Sequence, residues 1–142
     1  HAKLQIVLNA VEKGSNPWGC TDYLNQKKKI LETGADVYEL MNDYPVHTKA
    51  VLINDRLSVV GSYNLDMRST YLDTELMLVI DSEKLSEQIY ETESDYMEKS
   101  KEVLANGQET EGAKYQGKVL NRKKKLYYGV LRIIIRPFRQ LL

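Results

Sequence analysis

Cysteine is nearly absent. The single thiol, Cys20, in 142 residues excludes an internal disulfide and a cysteine-based zinc cluster, and is expected as a small buried or half-buried apolar side chain. Histidine is almost as scarce, with two, His1 and His47. Arginines break every apolar run near the C-terminus well short of the roughly 20 residues a bilayer span requires. No signal peptide is recognisable, so targeting information, if any, is expected upstream. The start at His1, without Met and directly before an apolar run, reads as a piece cut from a longer protein. Acidic residues are absent past Glu111. The formal charge of zero is therefore only an average: 20 acids against 11 bases up to Glu111 leave −9, and the 9 bases from Lys114 onward, meeting no acid, leave +9. A terminal block of one sign marks a partner of the other: an anionic membrane, a nucleic acid, or the body of the domain itself.

What is present suffices for one domain with a core, and no internal repeat is visible. The pattern predicts a strand over 4–8, a loop over 14–17, and a helix capped by Thr21 or Asp22 that carries Tyr23, Leu24, Ile30 and Leu31 and closes at Thr33 and Gly34. Lys27, Lys28 and Lys29 read as its solvated face. A second strand follows over 35–40. Strand, helix and strand in this order are a βαβ pattern, so the fold class is α/β, a mixed β-sheet flanked by helices. Farther on, the sequence predicts a short turn or helix over 68–71 and a strand over 75–80. A long helix is then expected from Asp81 or Ser82 to about residue 105, burying Leu85, Ile89, Tyr96, Met97, Val103 and Leu104. A polar linker over 106–112 ends the predicted catalytic unit, 1–112, and leaves 113–142 as a basic tail.

The stretch from Val46 to Asn64 organises the rest. It reads as two apolar strands around an Asn54-Asp55 turn, and the two-residue period puts His47 and Lys49 on one face. Leu57, Val59 and Val60 supply the buried face of the second strand. The chain then breaks at Gly61 and presents Ser62 and Asn64 as short polar donors. An imidazole, an ammonium and two small donors can hold and attack a phosphate diester, which needs a nucleophile, charge neutralisation and oriented hydrogen bonds. The bland alternative is a hairpin with an incidental His and Lys.

At these residues the chain resembles the phospholipase D superfamily, whose signature is His-x-Lys, four residues, Asp, six residues, Gly-Ser-x-Asn. His47, Lys49, Gly61, Ser62 and Asn64 fall on it, and Asn54 stands at the Asp position. The run from Asn64 to Ser69, followed by Leu72-Asp73-Thr74-Glu75, is most similar to the cardiolipin synthase branch. The resemblance implies a site in which two His-Lys motifs meet and a phosphohistidine forms without metal or cofactor. It makes His47 the nucleophile or, as the C-terminal motif, the acid/base. It also implies that Lys49 and Asn64 bind the non-bridging phosphate oxygens, that Ser62 assists from the turn, and that Glu75 orients the imidazole of His47. Asn54 is then a structural acceptor that keeps its oxygen and loses the charge. His1-Ala2-Lys3 repeats the spacing, but Leu8 sits where the acid belongs and no Gly-Ser-x-Asn follows, so it is a decoy. One chain lacks a two-histidine site. The second motif is expected in a missing N-terminal half or, alternatively, in a homodimer mate.

Viewed at about 3.6 residues per turn, Tyr127, Val130, Leu131, Ile134 and Phe138 fall on one side of the tail and Lys125, Arg132 and Arg136 on another. Pro137 should kink or restart the helix. These residues are the expected contacts with an anionic membrane; a helix packed on the domain is the competing reading. With the resemblance, they imply a membrane-associated enzyme of the bacterial cytoplasmic membrane that uses a phospholipid substrate, phosphatidylglycerol first. A homodimeric nuclease-like phosphodiesterase and a non-catalytic lipid-binding module are the alternatives. An acidic body disfavours nucleic acid.

Overall fold

The computed structural model describes residues 3–117 and 119–141; His1, and with it the decoy His-x-Lys spacing, lies outside the described residues. In chain order the elements are β1 (Gln5–Asn9), α1 (Pro17–Glu32), β2 (Asp36–Leu40), β3 (Ala50–Ile53), β4 (Leu57–Gly61), α2 (Met67–Tyr71), β5 (Met77–Asp81), α3 (Glu83–Glu98), β6 (Ser100–Val103), β7 (Glu109–Glu111), α4 (Arg122–Ile134) and a 3-10 helix (Arg136–Leu141). The fold is α/β, with the strands divided between two sheets. One, ordered β1-β2-β6-β7, is mixed, its β1–β2 pair parallel and the others antiparallel. The other is the antiparallel β3-β4-β5.

Several boundaries differ from the sequence expectation. Helix α1 starts earlier than Thr21: the Asn16 side chain accepts from the backbone N–H groups of Trp18 and Gly19, and Pro17 occupies the first position, where a missing N–H costs nothing. Thr21 is instead fully buried, its hydroxyl bonded to the Pro17 carbonyl at 2.7 Å. The helix ends as expected, with Gly34 at φ +87°. Ser82 caps α3, but this helix stops at Glu98 rather than near residue 105. Val103 pairs with Val37 across β2–β6, because the open edge of β2 offers a ladder and a buried site that a continued helix would forgo. The expected polar linker is the β6–β7 hairpin, turning at Gly107, φ +83°. In β4 the fully buried residue is Ser58, whose hydroxyl meets that of Ser86 on α3 at 2.9 Å. Leu57 and Val59, expected inside, lie on the opposite face, where Val59 pairs with Val51 and Val79, 53% and 71% exposed.

The apolar core sits on the four-stranded sheet, around Ala35, Val37 and Leu40 of the β2 region, Val103 of β6, and Tyr128, Leu131 and Ile135 of the C-terminal segment. Helix α4 packs on α1. Arg132 donates from Nε to Asn25 Oδ1 at 3.0 Å, and Asn25 returns a bond to the Arg132 carbonyl at 3.1 Å. Leu131, grouped by its spacing with the membrane-facing side, therefore turns inward: the docked stripe is Tyr128, Leu131 and Ile135. Cys20 is half-buried; burial pushes its thiol up.

Lys27 is not on a solvated face. It reaches Glu39 Oε1 at 2.6 Å, beside the Tyr23 hydroxyl at 2.7 Å, while Lys101 of β6 reaches the other carboxylate oxygen at 3.1 Å. Burial pushes the Glu39 carboxyl up, but the bonds from Lys27 and Tyr23 and the two lysine charges outweigh it and leave it below the ordinary carboxylate range. Because the folded state favours the charged form, the stabilisation is present above that range and is lost as pH falls through the lowered value. Glu39→Gln should cost about 2 kcal/mol at neutral pH, or about 6 °C in melting temperature. Its deficit against the unsubstituted protein should shrink on acidification from about pH 5 to pH 3, read by thermal melts across that range. A constant deficit would show that the charge contributes nothing.

Candidate active site

Strand β1 ends at Asn9, and the side-chain amide of Asn9 builds the site's first support. Its Nδ2 donates to the Val46 carbonyl at 2.7 Å and its Oδ1 accepts the Val46 N–H at 2.8 Å. One side chain thus satisfies both backbone groups of a residue outside any ladder. His47 and Lys49 follow directly and precede β3, which starts at Ala50; they were expected inside that strand. On the other side, the Lys49 carbonyl accepts from Gly61 N–H at 3.1 Å. The two side chains still meet. Lys49 Nζ lies 2.7 Å from His47 Nδ1, 2.9 Å from its Nε2 and 2.9 Å from its carbonyl oxygen. Imidazole lone pairs lie in the ring plane and point apart, so an ammonium this close to both nitrogens stands over the ring face rather than along either lone pair. His47 is exposed to solvent.

Gly61 is required by a close approach. A Cβ there would stand 2.0 Å from the Leu76 carbonyl oxygen and 2.5 Å from Met77 Sδ, so any side chain would push β4 and β5 apart. That closeness binds Ser62 to the chain before β5. Ser62 N–H donates to the Leu76 carbonyl at 3.0 Å, Leu76 N–H donates to Ser62 Oγ at 3.0 Å, and Ser62 Oγ donates to Glu75 Oε2. Glu75 is held below the usual carboxylate range chiefly by this hydroxyl, then by Ser69, with the Lys49 charge adding to them. It is an anion at neutral pH. Among the described hydrogen bonds its partner is the Ser62 hydroxyl, whereas the expected partner was the His47 ring.

Ser69 is the residue that sequence reasoning passed over. It is 5% exposed, and its Oγ accepts from Asn64 N–H at 3.2 Å and from Asn64 Nδ2 at 3.4 Å. Its own N–H is held by Asp66 Oδ1 at 2.7 Å, the N-cap of α2. The signal was available: Asp66 three residues before Ser69 is cap spacing. Asn54 sits in the β3–β4 turn with φ +56°, in the left-handed region that Asn and Asp tolerate better than other side-chain-bearing residues. Its demonstrated job is that backbone conformation. Of the expected membrane contacts, Tyr127, Val130, Ile134 and Phe138 are about half-exposed, and Leu126 and Ile133, not singled out by the sequence, are more so. Lys125, Arg132 and Arg136 are exposed. No helix among the described residues is long and apolar enough to cross a membrane.

An α/β fold that gathers an imidazole and an ammonium on one loop, and a carboxylate–hydroxyl–amide chain on the next, is a phospholipase D-like domain. Residues 2–96 match the family described as "Cardiolipin synthase, PLD-like domain", and the chain belongs to that family, the cardiolipin synthase-like branch of the phospholipase D superfamily. It is 37% identical over 94 residues to cardiolipin synthase A of Proteus mirabilis, an alignment covering 66% of this chain and 19% of the relative. Against cardiolipin synthase A of Serratia proteamaculans it is 32% identical over 105 residues, covering 74% and 20%. The chain thus spans about a fifth of the length of these relatives.

If Asn9 places the His47 segment, Asn9→Ala should displace the His47 ring resonances from their positions in the unsubstituted protein while costing only about 1–2 kcal/mol of stability, the worth of two partly exposed hydrogen bonds. Asn9→Asp keeps the acceptor but not the donor and should lie between. Ring NMR beside thermal melting checks this; unchanged His47 resonances in both variants would remove Asn9 from the site.

Proposed function

We propose that this chain is the C-terminal catalytic half of a cardiolipin synthase-type phosphatidyltransferase. The observation that carries the reading is the pairing of His47 with the Lys49 ammonium beside the Glu75–Ser62 and Asn64–Ser69 bonds. In the first half-reaction a histidine nitrogen of the partner motif attacks phosphorus of phosphatidylglycerol, and the bond to the glycerol oxygen breaks. His47, protonated, gives that oxygen its proton, and glycerol leaves. In the second, a hydroxyl of another phosphatidylglycerol loses its proton to His47 and attacks the phosphohistidine; the P–N bond breaks and cardiolipin forms. Lys49 and Asn64 hold the non-bridging oxygens, whose charge grows in each transition state. Ser62 and Glu75 keep the turn and the local charge in place. Two histidines in different environments divide the acid and nucleophile roles.

The second motif comes from an N-terminal half of the parent protein. The uncovered face of the three-stranded sheet, with Val51, Ile53 and Val79 47–71% exposed beside the site, supports a protein unit seated there. The membrane reading rests on the outward apolar side of α4, distinct from its docked stripe. Tyr127, Val130, Ile134 and Phe138 can enter the interface while Lys125, Arg132 and Arg136 meet anionic headgroups.

Two measurements test this. In the full-length parent, assayed on phosphatidylglycerol vesicles, His47→Ala should lower cardiolipin formation by about 10²–10⁴-fold or more, and Asn54→Asp should leave it equal or improved, because Asp suits the same left-handed turn. Abolition by Asn54→Asp, or full activity of His47→Ala, would sink the assignment; DNA cleavage without lipid transfer would favour the nuclease-like alternative. Changing Ile134 and Phe138 together to Ser should weaken the vesicle binding that survives high salt, since apolar insertion is not screened, and should leave the melting temperature within about 2 °C because both side chains are half-exposed. Unchanged salt-resistant binding would reject the membrane role of this face.

A further inference from the structure

Between α1 and the C-terminal helices lies a cavity of about 360 Å³, at the small end of ligand sites, lined by Asp22, Asn25 and Lys29 of α1 and by Arg132, Arg136 and Arg139. None of these residues belongs to the His47 group. Four cations face one carboxylate, a net of three positive charges. Two of the guanidinium groups are anchored: Arg132 by Asn25 Oδ1 at 3.0 Å and the Leu24 carbonyl at 3.3 Å, Arg139 by Asp22 Oδ1 at 3.0 Å. Each anchored fork keeps further N–H donors. Among the described residues Lys29 and Arg136 enter no ion pair. Lys29 and Arg132 lie in the last turns of their helices, where a cation suits the dipole. That explains one charge per helix; it does not explain why four converge on one hollow, where they repel one another.

An anion with several oxygens removes this repulsion and matches anchored arginine forks, which bind phosphate through paired N–H groups. The flank offers the second half of a ligand. On α4, Ile133 stands beside Arg132 in sequence and close to Arg136 around the helix, and its side chain is 69% exposed. A phosphate in the hollow would leave attached acyl chains lying along that apolar side. We propose that this cavity is an anion site, separate from the reacting centre, that takes the phosphate of an anionic phospholipid headgroup; the choice of a lipid as its source rests on the membrane reading above.

The test compares Lys29→Gln with Arg136→Gln against a control of equal charge change, Lys28→Gln on α1 with Lys123→Gln on α4, neither of which lines the cavity. Binding is measured by sedimentation with vesicles of equal parts phosphatidylcholine and phosphatidylglycerol at raised salt, where diffuse attraction is screened. The arginine side-chain N–H resonances are followed as glycerophosphoglycerol or inorganic phosphate is added. The cavity pair should weaken vesicle binding by about tenfold and the control pair by no more than about twofold, with both variants melting like the unsubstituted protein. Equal losses in the two variants, without saturable shifts from the soluble phosphates, would overturn the site in favour of general surface charge. Saturable shifts with the soluble phosphates, without a difference between the variants on vesicles, would assign the hollow to a free phosphorylated compound and overturn the lipid source. Loss of the site leaves the weaker binding that Ile134 and Phe138 still provide. Failure of the membrane reading instead abolishes vesicle binding before any substitution, and takes the lipid assignment with it.

Discussion

The site depends on one side-chain amide standing in for a peptide group. Between β2 and β3 the chain leaves the buried four-stranded sheet for the three-stranded one, and across that crossing no ladder holds it. Asn9 supplies both the donor and the acceptor that Val46 lacks. Only a carboxamide can do both at once: Asp would lack the donor and Ser the reach. His47 is the next residue. From there the bond between the Lys49 carbonyl and Gly61 N–H returns the chain to β4, and Ser62, Glu75 and Asn64 are drawn in by the closeness that Gly61 permits.

The two sheets divide rigidity from reactivity. The four-stranded sheet carries the apolar core and a carboxylate, Glu39, satisfied by two lysines and a tyrosine, an arrangement in which a buried charge is tolerable because every neighbour favours it. The three-stranded sheet meets the body through α3, with a buried hydroxyl pair, Ser58 and Ser86, in the contact. Its other face stays uncovered. Regions with few buried apolar contacts are where local opening is cheapest.

Part of the positive C-terminal block is spent on the domain itself. Lys114 turns back to Asp95 and Glu98 at 3.1 and 2.7 Å, and Arg139 to Asp22 at 3.0 Å, so part of the charge neutralises the acidic body. Helix α4 then has three sides: Tyr128 and Leu131 docked, with Ile135 just beyond them, an arginine flank toward α1, and an outward apolar side. Pro137 follows the end of α4, and a 3-10 helix from Arg136 to Leu141 closes the chain.

The hairpin around Asn54 and the caps at Gly34 and Ser82 were legible in the sequence, because each is decided within a few residues by backbone sterics or by a short-range hydrogen bond; the break at Gly61 was legible only as part of the family signature, since the close approach that requires it comes from Leu76 and Met77. The start of α1 was legible too, in Asn16-Pro17, but was outweighed in reading by later cap candidates. What local pattern could not reveal depends on partners distant along the chain. Residues 100–103 are a strand only because β2 has an open edge, Lys27 is held only because Glu39 lies opposite, and Ser58 is inside only because Ser86 comes to meet it. A 3.6-residue period reports that an apolar stripe exists; with two such stripes on α4, only the surface of α1 decided that Leu131 and Ile135 face inward and Ile133 and Ile134 face out.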